Sequence, residues 1–366
     1  MVAPAGHLML KLTLTSGACQ GIFGNISNRR SAQLRRRRFE HRMNLTRNTA
    51  ASSGGLRSCW YPPHRNRRCW QSAEISWYWL LVQVRSSSET SANWSARLEL
   101  EILARSDHTY LGRRVHHGPL RIQRPFYPEG HGILHLYLLH PPGGVVGGDH
   151  LEIDVDLGAA AHAVITTPAA QKLYRSSGAT SLIDTRLLVR SKAALEWLPT
   201  ETIIFDGAKA RTRQRVDVAP DASFIGWEMA CFGRPASGIT FTRGRVEFGL
   251  ELRSGGAPIL IENLDVAGGS PSLSAPWGFA GCAAFGSLYC VTANDAQLNE
   301  ACLQINNQCA LDSQVRGAMT QLNNCAVLKV QAPRLADIRS ALVRAWRIAR
   351  PLILGQAALD PRIWAT

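Results

Sequence analysis

The stretch from His140 to Asp149 reads His-Pro-Pro-Gly-Gly-Val-Val-Gly-Gly-Asp, and the interpretation of the chain starts from it. Apolar runs flank it at 133–139 and 151–157, and the second run alternates apolar with acidic residues. Alternation at every second position is typical of a half-buried β-strand. The two prolines lack backbone donors, and the four glycines permit unusual backbone angles. The stretch therefore predicts a rigid, sharply folded connection that holds the Asp149 carboxylate in one place.

The net charge of +14 over 366 residues is concentrated at one end of the chain. Residues 1–93 contain thirteen Arg and one Lys against three Glu, a net charge of +11, which leaves +3 for the remainder. A basic nucleic-acid-binding protein, one alternative function, should carry its charge on the folded body. We expect residues 1–93 to be a disordered extension or sequence translated from too early a start, and the folded body to begin at Trp94.

The nine cysteines form no Cys-x-x-Cys pair, so a zinc ribbon or a thioredoxin-like site is not expected. No apolar run approaches the roughly 20 residues that a membrane span needs. A secretory signal is also a poor match, because no basic segment precedes an adequate apolar run. We therefore expect a cytoplasmic protein with free thiols and no membrane partner.

Strand-like runs recur about every 8–12 residues from position 98 to 266, a spacing typical of β sandwiches, barrels and helicoids. The predicted fold class is mainly β: a large helicoid or sandwich-like body of many short strands, with a few helices toward the C-terminus. The clearest helix is predicted over 334–350, where Leu342 and Trp346 lie on one apolar stripe and Pro351 follows as a stop. A second helix is predicted to begin at Asn294.

Four acids stand in apolar surroundings: Asp149, Glu196, Glu228 and Glu262. A buried carboxylate is costly unless it is paired or hydrogen-bonded, and Lys172, Arg175 and Arg234 are available as partners. We expect strand alternation to place Glu196 in solvent. For Glu228 and Glu262, which have apolar neighbours on both sides, burial and exposure are about equally expected.

All eleven histidines lie at or before residue 162, and several crowd the region of the opening stretch. Imidazole suits first-row metals, but His135 and His140 are five apart on an extended run and should face opposite sides. We interpret these histidines as scattered surface residues. The chain also lacks a Gly-x-Ser-x-Gly elbow, which argues against a serine hydrolase.

Several motifs follow one another over residues 94–366. They are Gly118-Pro119-Leu120 to Pro128-Glu129, the His140 to Asp149 stretch, Thr166-Thr167-Pro168 to Ser176, Leu195-Glu196-Trp197-Leu198-Pro199, Gly226-Trp227-Glu228 with Gly233-Arg234-Pro235, and Pro361-Arg362-Ile363-Trp364-Ala365-Thr366. In kind and in order these motifs resemble one known family, that of the urease accessory protein UreD, also called UreH. Residues 1–93 have no counterpart in it.

The resemblance implies a β-helicoid scaffold that is not an enzyme and that delivers nickel to urease. Family members bind the helical protein UreF and, through it, the GTPase UreG, and this assembly docks on apo-urease. Nickel is thought to pass through a water-filled internal route whose polar positions match Asp149, Glu228 and Glu262. An acid common in the family after the position of Asp149 is His150 here, which substitutes one candidate nickel ligand for another.

Nickel is therefore expected as transient cargo, with no stable metal site and no tightly bound cofactor. Oxygen ligands with incomplete coordination suit such a route, because they bind a divalent ion without trapping it. A β-rich enzyme remains an alternative: it requires two acids that converge in a closed pocket of substrate size. An open-ended passage would instead favour the scaffold.

Overall fold

The structure is a computed structural model that describes residues 94–310 and 312–365. The expectation of a disordered extension over residues 1–93 lies outside the described residues. The described part of the chain is dominated by strands, with its two α-helices toward the C-terminus, and this confirms the predicted fold class. Within these residues no helix combines the length and apolar character that crossing a bilayer requires.

The described residues form seventeen strands of 2–11 residues, two α-helices and three single 3₁₀ turns. The strands are β1 (Ser95–Arg105), β2 (His108–His117), β3 (Arg121–Ile122), β4 (Ile133–Leu139), β5 (His150–Leu157), β6 (His162–Thr166), β7 (Gln171–Leu173), β8 (Ser181–Val189), β9 (Ala194–Leu198), β10 (Thr202–Ile204), β11 (Lys209–Val218), β12 (Ser223–Phe232), β13 (Arg245–Ser254), β14 (Ala257–Ala267), β15 (Ala284–Val291), β16 (Arg316–Leu322) and β17 (Cys325–Ala332). The helices are α1 (Asp295–Ala310) and α2 (Leu335–Leu354).

The chain winds as a parallel solenoid between two sheets. The outer sheet has the order β14-β13-β11-β8-β5-β1-β2, and the central sheet has the order β16-β17-β15-β12-β9-β6-β4-β3. From β4 to β13 the chain alternates between the sheets, and successive strands of each sheet pair in parallel. Antiparallel strands extend both ends of this parallel block. Each coil therefore places one strand in each sheet.

The stretch from His140 to Asp149, called the opening stretch below, is the first crossing of the chain from the central sheet to the outer sheet. Val145 pairs in parallel with Leu173 of β7, and β7 pairs with β10, so the crossings build a short third ladder. A Cβ on Gly144 would lie 2.2 Å from the Tyr174 ring, and one on Gly147 would lie 2.2 Å from Ser176 Oγ. These two glycines are needed because neighbouring crossings pack directly against the backbone.

Two cores separate the layers. One core fills the space between the two sheets, and the other lies between the central sheet and the two helices. In β12, Phe224, Ala230 and Phe232 belong to the first core, whereas Trp227 and Met229 belong to the second. The central sheet is therefore covered on both faces. A parallel or mixed sheet covered in this way shows little hydrophobic alternation, and every residue of β15 is buried.

Helix α2 closes the second core, but its predicted bounds of 334–350 are wrong. The helix begins at Leu335 and continues through Pro351 to Leu354, where Gly355 adopts a left-handed φ of 67° and donates to the Pro351 carbonyl. Proline inside a helix removes one backbone hydrogen bond. The extra turn nevertheless buries Ile353, which offsets that loss. Leu342 and Trp346 are fully buried, as predicted.

Candidate functional site

A cavity of about 390 Å³ lies between the two sheets. Strands β4, β9, β12 and β15 of the central sheet and β5, β8, β11 and β13 of the outer sheet contribute its walls. The lining is largely apolar, but it includes polar side chains on the inward faces of both sheets. Among them are Glu228 on β12, Thr185 on β8, Thr212 and Gln214 on β11, Gln171 on β7, and His140 at the first crossing.

Glu228 is joined to Glu262 through a tyrosine. Tyr289 Oη lies 3.2 Å from Glu228 Oε1 and 2.8 Å from Glu262 Oε2. Lys329 Nζ donates to Glu262, to Ser287 Oγ at 2.9 Å and to Tyr289 Oη at 3.3 Å. Since Glu262 comes from β14 and the other residues from the central sheet, these five side chains, the Tyr289 cluster, bridge the two sheets.

The Tyr289 cluster holds two carboxylates and one ammonium group. Burial raises the pKa of Glu228, the nearby Lys329 opposes that shift, and the charge of Glu262 adds to it. Burial and the two carboxylates raise the pKa of Tyr289 well above its ordinary value, so the phenol stays protonated. The cation of this cluster, Lys329, was not among the available partners named from the sequence; of those, Lys172 donates to the Gly143 carbonyl and Arg234 lies over the Phe205 ring.

Two members of the Tyr289 cluster, Tyr289 and Lys329, were not identified as candidate site residues from the sequence. β15 carries Tyr289 and was missed altogether, because it is buried on both faces and shows no alternation. Lys329, by contrast, stands alone in the apolar run 326–330. Its side chain is half exposed, but a single cation in an otherwise apolar strand marks the position where a carboxylate partner is expected, so it was a usable signal.

Asp149 lies elsewhere, in the opening stretch. The residue is 7% exposed, and its carboxylate accepts backbone hydrogen bonds from Val146 at 3.0 Å and Trp94 at 3.4 Å. The second of these hydrogen bonds connects the crossing to Trp94, the residue that precedes β1. Asp149 does not line the cavity, although its charge acts on His140, whose pKa is lowered by burial and partly restored by this carboxylate.

His150, one residue further on, faces the opposite way. Its neighbour Leu151 points into the core between the sheets, so alternation puts the imidazole on the solvent face of the outer sheet. There His150 Nε2 lies 2.9 Å from Asp184 Oδ2 and 3.6 Å from Glu152 Oε1. The structure thus brings Glu228 and Glu262 together but leaves Asp149 and His150 at separate positions.

The expectation that Glu196 faces solvent is wrong. Glu196 is completely buried and accepts hydrogen bonds from Arg350 Nε at 3.0 Å and Trp346 Nε1 at 2.7 Å. Alternation does turn it away from the first core, but α2 covers that face. Arg350 lies four residues after Trp346, on the apolar stripe, and this spacing could have identified it as inward-facing.

The interpretation of the histidines as surface residues is also wrong in part. His135 is completely buried and lies 2.7 Å from Glu129 Oε1, and His162 Nε2 lies 2.9 Å from Glu196 Oε1. As predicted, His135 and His140 face opposite sides: His135 faces away from the cavity that His140 lines. Arg350 connects Glu129 with Glu196, so the helix side of the central sheet holds a continuous buried ionic network.

Within residues 94–310 and 312–365, no group of three or more His, Cys, Asp or Glu side chains is arranged to hold a metal ion. The six cysteines of this part of the chain are free thiols, four of them buried. Burial raises the pKa of Cys325 to about 12, so this thiol is protonated at neutral pH. It is therefore a poor metal ligand, because the thiolate is the binding form.

Fold and site together define a class: a parallel β-solenoid with a polar cluster and a cavity between its sheets, closed on one side by a helical layer. The family model described as UreD urease accessory protein matches residues 95–365. The chain belongs to this family.

Similar curated proteins cover the same part of the chain. A urease accessory protein UreD of Azoarcus sp. (strain BH72) is 41% identical over 284 residues, which are 77% of this chain and 98% of that protein. The UreD proteins of Dechloromonas aromatica (strain RCB) and Alkalilimnicola ehrlichii (strain ATCC BAA-1101 / DSM 17681 / MLHE-1) are 37% and 39% identical. Each alignment again covers 77% of this chain, with 98% and 94% of the relatives.

Proposed function

We propose that this protein is a cytoplasmic scaffold for urease maturation that passes nickel through its interior to apo-urease. It acts together with UreF and the GTPase UreG, and it catalyses no reaction itself. Membership of the urease accessory family supports the general role. The observation that carries the nickel route is the position of Glu228, which lines the cavity between the sheets and is joined through Tyr289 to Glu262.

The charges of the Tyr289 cluster suit a passing cation better than a resident one. Carboxylate oxygens attract a divalent ion, but Lys329 already donates to Glu262, so an ion that reaches this oxygen must compete with the ammonium group. Competition of this kind weakens binding and lets the ion leave. On the outer-sheet wall, Thr185, Thr212 and Gln214 offer neutral oxygens.

The same geometry argues against the paired-carboxylate enzyme. General acid–base chemistry by two acids needs both of them at the substrate, with pKa values that their environments set apart. Of these two acids, Glu228 lines the cavity, whereas Glu262 is engaged by Lys329 and Tyr289. The arrangement therefore supports ion passage over catalysis.

The test is the double substitution Glu228→Gln with Glu262→Gln. Glutamine keeps shape and hydrogen bonding while it removes the charge that attracts the ion. Purified mutant chain is assembled with UreF, UreG and apo-urease, and nickel per urease active site is measured after activation. The expected result is an intact complex that yields urease with less nickel and less activity. Glu300→Gln, the same change at an exposed position of α1, is the matched control and should load urease normally.

Two outcomes would contradict the proposal. Full nickel occupancy with the double variant would show that these carboxylates are not on the route. Loss of the complex, or of stability, before any change in nickel loading would assign them a structural role instead.

A further inference from the structure

The cavity has a second polar position, away from the Tyr289 cluster. His140 and Gln171 line it where the chain crosses between the sheets. Each carries a buried nitrogen, His140 Nδ1 and Gln171 Nε2, that has no hydrogen-bond partner within the described part of the chain. A buried polar atom without a partner is unfavourable, and its retention in a folded protein calls for a ligand or another explanation.

The backbone holds these two side chains at the same corner of the solenoid. His140 follows directly after β4, where alternation with Leu136 and Leu138 turns it toward the space between the sheets. The crossing that His140 begins is tied to β7, because Val145 N donates to the carbonyl of Lys172 at 2.7 Å. Gln171 is the first residue of β7. Gln171 is therefore held by the β7 ladder, and His140 by the turn in which Gly143 N donates to its carbonyl at 2.7 Å.

This corner is separate from the Tyr289 cluster. Between β4 and β12, which carries Glu228, lie the strands β6 and β9. Three strand spacings correspond to about 14 Å between the strand that precedes His140 and β12. Gln171 is nearer, because β7 is two spacings, about 10 Å, from β12 by way of β10. One metal ion therefore cannot be bound at both positions at once.

We propose that His140 and Gln171 form a second divalent-cation position in the cavity, one with an imidazole ligand. This inference rests on the proposed function, since nickel is the cation in question. A neutral imidazole nitrogen binds first-row divalent ions well, and enclosure in the cavity wall favours the neutral ring. Rotation of the Gln171 amide by 180° brings its oxygen to the place of the unpartnered nitrogen, where it can act as a further ligand.

Two protein ligands leave most of the coordination shell to water. A water molecule occupies roughly 30 Å³ in the liquid, so a cavity of about 390 Å³ has room for several around the ion. Incomplete ligation by protein makes binding weak, as a transfer position requires. The two positions then offer the ion a nitrogen-containing site at the crossing and an all-oxygen site at the Tyr289 cluster.

The experiment uses the full chain with histidine labelled at ¹³Cε1 and NiCl₂ as the probe. Nickel(II) in an octahedral field is paramagnetic and broadens the NMR signal of any imidazole that binds it. The His140 signal is assigned as the one that is missing from the spectrum of the His140→Gln variant. We expect this variant to fold, because His140 Nδ1 has no hydrogen-bond partner within the described residues that the substitution would remove. His116, exposed on β2, is the matched control. At a free nickel concentration ten times the dissociation constant of this position, only about a tenth of the protein should have His140 free of nickel. The His140 signal should then be lost.

We expect the His140 signal to disappear at nickel concentrations that leave the His116 signal intact, in wild type and in the Glu228→Gln, Glu262→Gln variant alike. Urease activated with His140→Gln should contain several-fold less nickel. If the His140 signal outlasts that of His116 while the double Gln variant still lowers nickel loading, the inference is wrong and the proposed route stands. If neither His140→Gln nor the double variant lowers nickel loading, the proposed function itself is wrong, and with it the transfer role of His140.

Discussion

Arg350 offers the sharpest test of how the helical layer is held to the central sheet. Its side chain is completely buried, and it donates to both oxygens of Glu196 at 3.0 Å and to Glu129 at 2.7 and 2.8 Å. The substitution Arg350→Met keeps an unbranched apolar stem but leaves two enclosed carboxylates without their cation. Removing one partner of a buried ion pair costs about 3–5 kcal/mol. We expect a loss of that size in the free energy of unfolding.

The pH dependence gives an independent check. Burial alone would raise the pKa of Glu129, but hydrogen bonds from His135 and Arg350 lower it to about 2 from an ordinary value of 4.5. A lowered carboxyl pKa contributes stability that is present above the ordinary value and is lost as the pH falls from there toward 2. A shift of this size corresponds to about 3 kcal/mol. Because Arg350 causes part of it, the difference between wild type and Arg350→Met should shrink as the pH falls through this window.

The assay is urea-induced unfolding of the full chain, at neutral pH and at several values below pH 4.5 where both proteins remain folded. Arg347→Met is the matched control, since Arg347 lies on the same helix and forms an exposed ion pair with Asp360. Exposed pairs contribute up to about 1 kcal/mol. The reasoning is refuted if Arg350→Met destabilises the protein no more than Arg347→Met, or if its effect does not depend on pH.

Two further substitutions test the packing, each measured by the same unfolding assay. Trp346→Ala should cost roughly 3–5 kcal/mol, because the ring is fully buried, whereas Trp277→Ala, at a side chain 63% exposed, should change stability by less than about 0.5 kcal/mol. Equal effects would mean that Trp346 does not belong to the core. Gly144→Ala places a Cβ 2.2 Å from the ring of Tyr174 and should cost about 1–3 kcal/mol. Gly178→Ala meets no atom within 4 Å and serves as its control, so the prediction fails if the two variants are equally stable.

Much of the local structure could be predicted from the sequence, because it depends on short-range patterns. The alternating run 151–157 located β5 to within about a residue, and the apolar stripe of α2 correctly placed Leu342 and Trp346 in the core. The Pro-Gly-rich stretch was correctly predicted as a connection between two strands. Apolar surroundings identified the candidate acids, and the family resemblance assigned three of them to the nickel route; two of these, Glu228 and Glu262, are joined through Tyr289.

Other features depend on which parts of the chain pack together, and local patterns do not contain that information. Strand alternation predicts that Glu196 and Leu195 point to opposite faces of β9. Whether the face that carries Glu196 is buried depends on the position of α2, which local patterns do not give. The strands on either side of the opening stretch belong to different sheets, since the chain coils instead of forming a hairpin. The coils of the solenoid share one geometry, but the sequence shows no matching repeat. The pairing of strands between neighbouring coils could therefore not be predicted from the sequence.

The candidate site shows the same division. Sequence alone identified acids in apolar surroundings, because burying a carboxylate is costly and such positions stand out. Only the tertiary structure decided that Tyr289 joins Glu228 to Glu262, that Lys329 neutralises one of them, and that His140 shares their cavity. These residues come from strands far apart in the chain, and their contacts exist only once parallel coils have stacked and the outer sheet has closed over the central one.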